Sequence, residues 1–375
     1  MNKLNIVIIS RHILPQLSPR ASRATELAKE MSRQGHFVKL YAILGNYDYK
    51  IFEKEHNLEV QNLGKMRFAK WTSDGNVNYS IINRIAIKLF KRHMDFPDIE
   101  LMFKASRLIK KQKNIDLLIT IAQPFTIHWG VALAKTKKNL HFPKAWIADC
   151  GDPYMGSAFE THPFYFKYVE KWFCKKVDYL TVPIREARKG YYKEFRDKIH
   201  IIPQGFKFDE VVLPTKKPSN KVPIFIYAGT FFKDGRDPSL LLEYLASIKE
   251  PFKFIIYTKS KSFVTPFINK LENRLFLKDY IPRGRLLQLM NQADFLINFD
   301  NGTDIHSPSK LIDYAIVKRP VLNLKGQCFD KNLIHDFLKG NYSKKLKIEN
   351  IEQYKIENVT TKFLELYKNI LALKL

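Results

Sequence analysis

The chain is poor in cysteine, has no long apolar run and carries far fewer acids than bases. Its three cysteines, Cys150, Cys174 and Cys328, are widely spaced and form no CxxC pair. That excludes a disulfide-stapled scaffold and a paired-thiol motif, and fits a reducing, cytoplasmic setting. No apolar stretch reaches the roughly 18 residues a spanning helix needs. The opening segment, Met1–Ser10, is too short in its apolar part for a signal peptide and reads as a core strand. Acids number 37 against 63 lysines and arginines, a net charge of +26. Such a field draws polyanions. Zinc-finger spacing, an RNP-like aromatic motif and helix-turn-helix grammar are all missing, so nucleic acid is not an expected partner. Phosphorylated substrates and an anionic membrane surface are expected, with a lysine-rich compositional bias as the bland alternative.

What is present belongs to a packed globular protein. At 375 residues the chain exceeds one ordinary core and suits two domains of about 150–200 residues. Hydrophobic residues make up 45% and aromatics 13%. Apolar strands alternate with amphipathic helices, the α/β pattern. Strands are expected at 4–10, 37–43, 116–121, 144–149, 179–182 and 199–202, and then at 223–228, 252–257, 275–278, 294–298 and 321–324. A helix is expected from about Ala21 to Gln34, closed by Gly35. Neither an internal repeat nor a low-complexity tract appears.

Residues 307–324, Ser-Pro-Ser-Lys-Leu-Ile-Asp-Tyr-Ala-Ile-Val-Lys-Arg-Pro-Val-Leu-Asn-Leu, are the most informative segment. Ser307 is a good N-cap and Pro308 suits the first helical position. The helix should run to about Val317, ahead of the strand that opens at Val321. A helix start after a strand is an anion site, with amides around Ser309 and the Lys310 cation directed to a phosphate. Asp313, three residues after Lys310, lies on the same face, where a carboxylate accepts from a ribose diol. Phosphate and sugar hydroxyls one turn apart describe a nucleotide-sugar pocket.

Pro-Ser-Lys-Leu-Ile-Asp-Tyr-Ala followed by Arg-Pro-Val resembles the donor signature of the retaining GT-B glycosyltransferases, the group 1 or GT4 family. Asp313 stands where that family usually has Glu. Ile305, between Asp304 and His306, stands where it often has a second Glu that touches the donor sugar. The opening unit, with Gln34-Gly35-His36-Phe37-Val38, is similar to the family's first βαβ unit. Leu17-Ser18-Pro19-Arg20 replaces a glycine pair there, so Arg20 and Arg23 are candidates for acceptor or phosphate contacts. Ile202-Pro203-Gln204-Gly205-Phe206 resembles its interdomain element. The resemblance implies two Rossmann-like domains facing across a cleft: 1–204 for the acceptor, 205–356 for the donor, and a last helix, 357–375, returning to the first domain.

Further candidates follow. Gly229, Lys233 and Arg236 occupy a loop after a strand, where the family clamps the donor diphosphate. Cations suit a leaving group that gathers negative charge. Asp152, in Asp149-Cys150-Gly151-Asp152-Pro153-Tyr154 at another strand end, is the candidate for orienting or deprotonating the acceptor hydroxyl. His128 follows the strand ending near Ile121 and is a second catalytic candidate, with helix packing as its structural alternative. His12 in the first loop is similar. Residues 84–113 carry nine Lys or Arg against three acids, among apolar and aromatic residues. They suit contact with anionic headgroups or a solvated helix on the sheet.

The expected activity is transfer of a sugar from a nucleoside-diphosphate sugar to a hydroxyl of a lipid-linked glycan in surface polysaccharide synthesis. It needs no cofactor and no metal, and takes place at the inner membrane face. A nucleotide-sugar epimerase or phosphorylase, and a basic binding protein with a decayed donor site, are the alternatives. Ile305 favours decay, as does Ala122, which stands before Gln123-Pro124 where the resembled family often has a strand-end histidine; the intact segment around Lys310 and Asp313 opposes it.

Overall fold

The computed structural model describes residues 3–16, 18–68, 81–157, 161–208, 213–214, 219–233, 235–300, 310–325, 330–348 and 351–374. The chain divides into two compact units, Met1–Phe206 with Gln353–Leu375, and Lys207–Glu352.

Unit 1 runs β1 (Asn5–Ile9), α1 (Pro19–Arg33), β2 (Phe37–Ala42), α2 (Lys50–His56), β3 (Glu59–Asn62), α3 (Ile81–Met94), α4 (Ile99–Lys111), β4 (Leu117–Ile121), α5 (Thr126–Ala134), β5 (Ala145–Asp149), α6 (Phe166–Lys176), β6 (Tyr179–Val182) and β7 (Ile199–Ile201). The strands form one parallel sheet in the order β3-β2-β1-β4-β5-β6-β7. Parallel strands need crossover helices, which cover both faces and leave central strands buried on each side. Hence β4 and β5 are buried throughout. Along β1 the pleat sends Val7 and Ile9 to one core, with Trp146 and Leu180, and Ile6 and Ile8 to the other, with Leu40 and Ile119. Helix α1 begins at Pro19 because Ser18 caps it, its hydroxyl accepting from the Ala21 N–H at 3.0 Å. Strand β3 was not expected from the sequence. Its residues Glu59-Val60-Gln61-Asn62 place only Val60 in the core, and it lies at the sheet's edge.

Unit 2 runs β8 (Ile224–Ala228), α7 (Ser239–Ser247), β9 (Lys253–Tyr257), α8 (Ile268–Leu271), β10 (Leu275–Lys278), α9 (Arg283–Asn291), β11 (Phe295–Asp300), α10 (Lys310–Val317), β12 (Val321–Lys325) and α11 (Lys331–Leu338). Its parallel sheet has the order β10-β9-β8-β11-β12. Phe225, Phe254 and Phe295 stack at 4.6–4.7 Å across neighbouring strands. The Tyr314 hydroxyl donates to the Ile297 carbonyl at 2.7 Å and so docks α10 on β11.

The last helix, α12 (Ile356–Ala372), belongs to unit 1. Val359, Phe363 and Ile370 are buried in the same core as Ile6 and Ile8. The Phe206 N–H donates to the Tyr354 carbonyl (2.8 Å) and the Ile356 N–H to the Phe206 carbonyl (3.0 Å), which ties the outgoing and returning chain together. Gly205 permits that approach, since a Cβ there would lie 2.6 Å from Ile356 Cδ1. No helix among the described residues is long and apolar enough to cross a membrane.

Candidate active site

In open parallel sheets ligands bind beyond the carboxyl ends of the strands, where the strand order reverses. Each unit has one such point, β8/β11 in unit 2 and β1/β4 in unit 1.

In unit 2, β8 ends in Tyr227 and Ala228, and Gly229 begins the loop. Tyr227 is fully buried, packed on Phe231 (4.7 Å) and edge-on to Phe299 (5.0 Å). Lys310, the first described residue of α10, lays its ammonium 4.1 Å from the Tyr227 ring centroid and donates to the phenol oxygen at 2.9 Å. Gly229 makes the room. A Cβ at that position would sit 1.6 Å from Lys310 Nζ. Burial pushes the Lys310 ammonium down to about 7, Arg236 pushes in the same direction, and Asp313 opposes both. A partly desolvated ammonium over a phenol, with the Arg236 guanidinium acting on both, is a site prepared for an anion.

One turn along α10, Asp313 Oδ1 accepts from Arg283 Nε at 2.8 Å and pairs with Nη2 at 2.6 Å. Burial raises the Asp313 carboxyl, and Arg283 and then Lys310 pull it back. Of the expected donor residues, the structure therefore brings together Lys310, Asp313, Arg236 and Gly229. Lys233 is exposed on the same loop and makes no contact with this group among the described residues. Ser309 lies outside the described residues, as do Ser307, Pro308 and Asp304–His306. Tyr227 and Arg283 went unread. The available signals were an aromatic at a strand end before Gly229, and Pro282-Arg283 at a helix start after β10.

In unit 1 a cavity of about 560 Å³ opens at the switch point, lined by loops after β1, β4 and β5 and by the end of α3. Three bases, Arg11, Arg20 and Lys91, meet three acids, Asp95, Asp98 and Asp152, with His12, Gln123, Tyr154 and His162. Arg11 is ion-paired with Asp98. Tyr154 and His162 stack at 3.8 Å. Charged groups able to bind hydroxyls, set beside an aromatic surface, form a pocket suited to a sugar. Asp152 and Arg20 both line it. Gly151 gives Arg20 its place, since a Cβ there would lie 2.7 Å from the guanidinium.

Two expectations are corrected here. Arg23 is buried and does not line the cavity. Its guanidinium binds Asp149 (Nη2 to Oδ1 2.7 Å, Nε to Oδ2 3.1 Å) and the carbonyls of Ile202 and Pro203. Burial alone would raise the Asp149 carboxyl, but Arg23 and Arg20, with hydrogen bonds from Arg23 and Thr181, hold it below its ordinary value. Arg23 is thus a strut between strand ends. His128 is a core residue: fully buried, with Nδ1 2.7 Å from Thr120 Oγ1, Nε2 3.5 Å from Cys150 Sγ, and its ring stacked on Phe173. Burial drives it down to about 3, so it stays neutral and has no route to a substrate. His12, by contrast, lines the cavity.

No family model matches this sequence, and no curated protein matches it either. Solved structures do. The chain is similar to a glycosyltransferase from Rickettsia africae ESF-5, with a TM-score of 0.64 and 16% identity over 99% of both chains. It is also similar to the catalytic domain of starch synthase IV from Arabidopsis thaliana bound to ADP and acarbose, with a TM-score of 0.59 and 11% identity over 99% of this chain and 100% of that one. HepE of Anabaena in complex with UDP-glucose matches with a TM-score of 0.53 and 7% identity over 99% of both chains. The fold is GT-B. Each unit has one switch point, and the Lys310–Asp313 group lies at that of unit 2.

Proposed function

We propose that the protein is a glycosyltransferase of the retaining, group 1 kind. It moves a sugar from a nucleoside-diphosphate donor, held by unit 2, to a hydroxyl of a lipid-linked glycan bound at the unit 1 cavity. It needs no metal and serves surface polysaccharide synthesis at the inner face of the membrane. The observation that carries this reading is the Lys310 ammonium held over Tyr227 beside Arg236, one turn from Asp313. Two cations take the diphosphate, whose negative charge grows as the glycosidic bond breaks, and preorganised charge of this kind is the largest lever on such a barrier. Asp313 takes the ribose hydroxyls. Retention follows the group 1 pattern of residues 307–321, with the leaving phosphate on the same face as the incoming hydroxyl. Asp152 orients that hydroxyl or accepts its proton, and Arg20 takes the acceptor's polar groups. HepE in complex with UDP-glucose and starch synthase IV bound to ADP and acarbose share the fold, which supports a nucleotide-sugar donor.

Helix α3 supports the membrane setting. Ile85, Leu89, Phe90 and Met94 remain 46–56% exposed, alongside Lys88, Lys91 and Arg92. Helix α4 instead buries Leu101, Ala105 and Ile109 in the core. Phe103, Arg107, Lys110 and Lys111 on the outer face of α4 are exposed as well. Each basic residue near an anionic surface adds about 1 kcal/mol. Neutralising Lys88, Lys91 and Arg92 together is expected to cut partitioning onto phosphatidylglycerol vesicles about a hundredfold, and unchanged partitioning sinks the membrane claim. The catalytic claim is tested by release of nucleoside diphosphate from a nucleotide-sugar when a bacterial lipid-linked oligosaccharide extract is added. Extract-dependent release that disappears in Asp152→Asn supports it.

A further inference from the structure

Asp313 does not stand alone at the expected ribose position. Arg283 is the first residue of α9, just beyond the carboxyl end of β10, and 30 residues separate the pair in sequence. Both guanidinium contacts, Nε at 2.8 Å and Nη2 at 2.6 Å, fall on the same carboxylate oxygen, Oδ1. The usual fork engages both oxygens of the carboxylate. Here Oδ2 accepts no hydrogen bond among the described residues. The Asp313 side chain is 19% exposed and that of Arg283 38%, so the guanidinium forms the outer wall beside the carboxylate. Arg283 is the first group that opposes the upward push of burial on the Asp313 carboxyl, ahead of Lys310.

We propose that Arg283 is a specificity-determining residue for the nucleoside: it holds Asp313 by one oxygen, presents the other to the ribose hydroxyls, and donates to the 2′-hydroxyl oxygen itself. The inference rests on the reading of this site as the donor pocket. A hydroxyl between a carboxylate oxygen and a guanidinium donates to one and accepts from the other. A 2′-deoxynucleotide lacks that hydroxyl and leaves a hydrogen bond unmade at each of the two charged groups, a loss larger than that of one hydrogen bond alone. The site therefore takes ribonucleoside diphosphates in preference to 2′-deoxy ones, and UDP-, GDP- or ADP-sugars in preference to dTDP-sugars.

The test is calorimetric titration of the full chain with UDP, GDP and ADP and with their 2′-deoxy counterparts, for wild type, Arg283→Gln and Arg283→Lys. Wild type should bind one ribonucleotide at least about tenfold more tightly than its deoxy form. Arg283→Gln should weaken the ribonucleotide by about tenfold to a hundredfold and bring the ribo/deoxy ratio close to one. Arg283→Lys should keep part of the affinity, because it restores the charge, but little of the discrimination, because it lacks the fork. A purely structural role would lower both affinities together and leave the ratio alone. If Arg283→Gln does not fold, the lysine variant carries the same ratio test. An unchanged ratio in a variant that binds nucleotide overturns this inference and leaves the donor site standing. Binding of no nucleotide by wild type overturns both.

Discussion

The Nζ of Lys310 occupies the space in which a side chain at position 229 would begin. A Cβ on Gly229 would come to 1.6 Å from Nζ and 2.3 Å from Cε. The ammonium is held in that place by the Tyr227 ring and hydroxyl. A glycine on one loop, a phenol at a strand end and a lysine from a helix 81 residues after the glycine therefore act as one group.

Gly229→Ala should weaken nucleoside diphosphate binding by about tenfold or more, since it drives Lys310 off a cation–π contact and a hydrogen bond together worth about 1–3 kcal/mol. The alanine is also strained at the Gly229 φ of +158°, so the unfolding midpoint of each variant is measured beside its affinity. In the double variant with Lys310→Ala the second change should add almost nothing. Calorimetric affinities for the four proteins check this, and additive effects would show that the two residues act separately.

Burial holds the Lys310 ammonium down at about 7, and a diphosphate beside it favours the charged form. Donor binding should therefore take up a proton, and affinity should rise as pH falls from about 8.5 to 6.5, by up to tenfold per unit above the pKa. Lys310→Arg stays charged throughout and should flatten the profile. For stability the sign is reversed. The unfolded chain binds this proton up to the ordinary value of 10.5, so the native state should gain stability as pH rises from about 7 toward 10.5. Titrations in buffers of different ionisation enthalpy read the proton uptake directly.

Glu170 on α6 is buried under the loop that carries Asp152. Its Oε1 accepts from the Met155 N–H at 3.4 Å, while Oε2 is buried with no hydrogen-bond partner among the described residues. Burial pushes its carboxyl up to about 7, with the Met155 and Tyr154 amides opposing. The native state thus holds a proton that the unfolded chain releases near 4.5, so stability should fall as pH rises from there through about 7. Glu170→Gln should remove that slope and exceed wild type by about 3 kcal/mol at pH 8. Urea denaturation at pH 5 and pH 8 decides it. Parallel pH dependence in the two proteins would place the titration elsewhere.

The sheets were legible because a strand buried on both faces is written as a continuous apolar run, as in Leu117–Ile121 and Phe295-Leu296-Ile297. Strand β3 was not, because an edge strand needs only Val60 inside. Lys310 and Asp313 were legible from local spacing on one helix. Tyr227 and Arg283 were not, because their roles depend on strand order and helix register across 83 and 30 residues. The same distance effect misled at Arg23, whose fate is set by Asp149, 126 residues away. His128 was a catalytic candidate from the helix after β4, with packing as the alternative, and packing is what it does: Thr120, Cys150 and Phe173 enclose it.

The central claim is that the Lys310–Asp313 group binds a nucleotide-sugar, and its most direct test is thermal unfolding of wild type and Asp313→Ala side by side against UDP-, GDP-, ADP- and dTDP-sugars. A ligand at a hundred times its dissociation constant stabilises the native state by about 2.7 kcal/mol, which for a chain of this size raises the midpoint by a few degrees. Stabilisation by a ribonucleotide donor in wild type, abolished in Asp313→Ala, is the predicted result. A wild type that no nucleotide-sugar stabilises, or a variant stabilised as much as wild type, would contradict it.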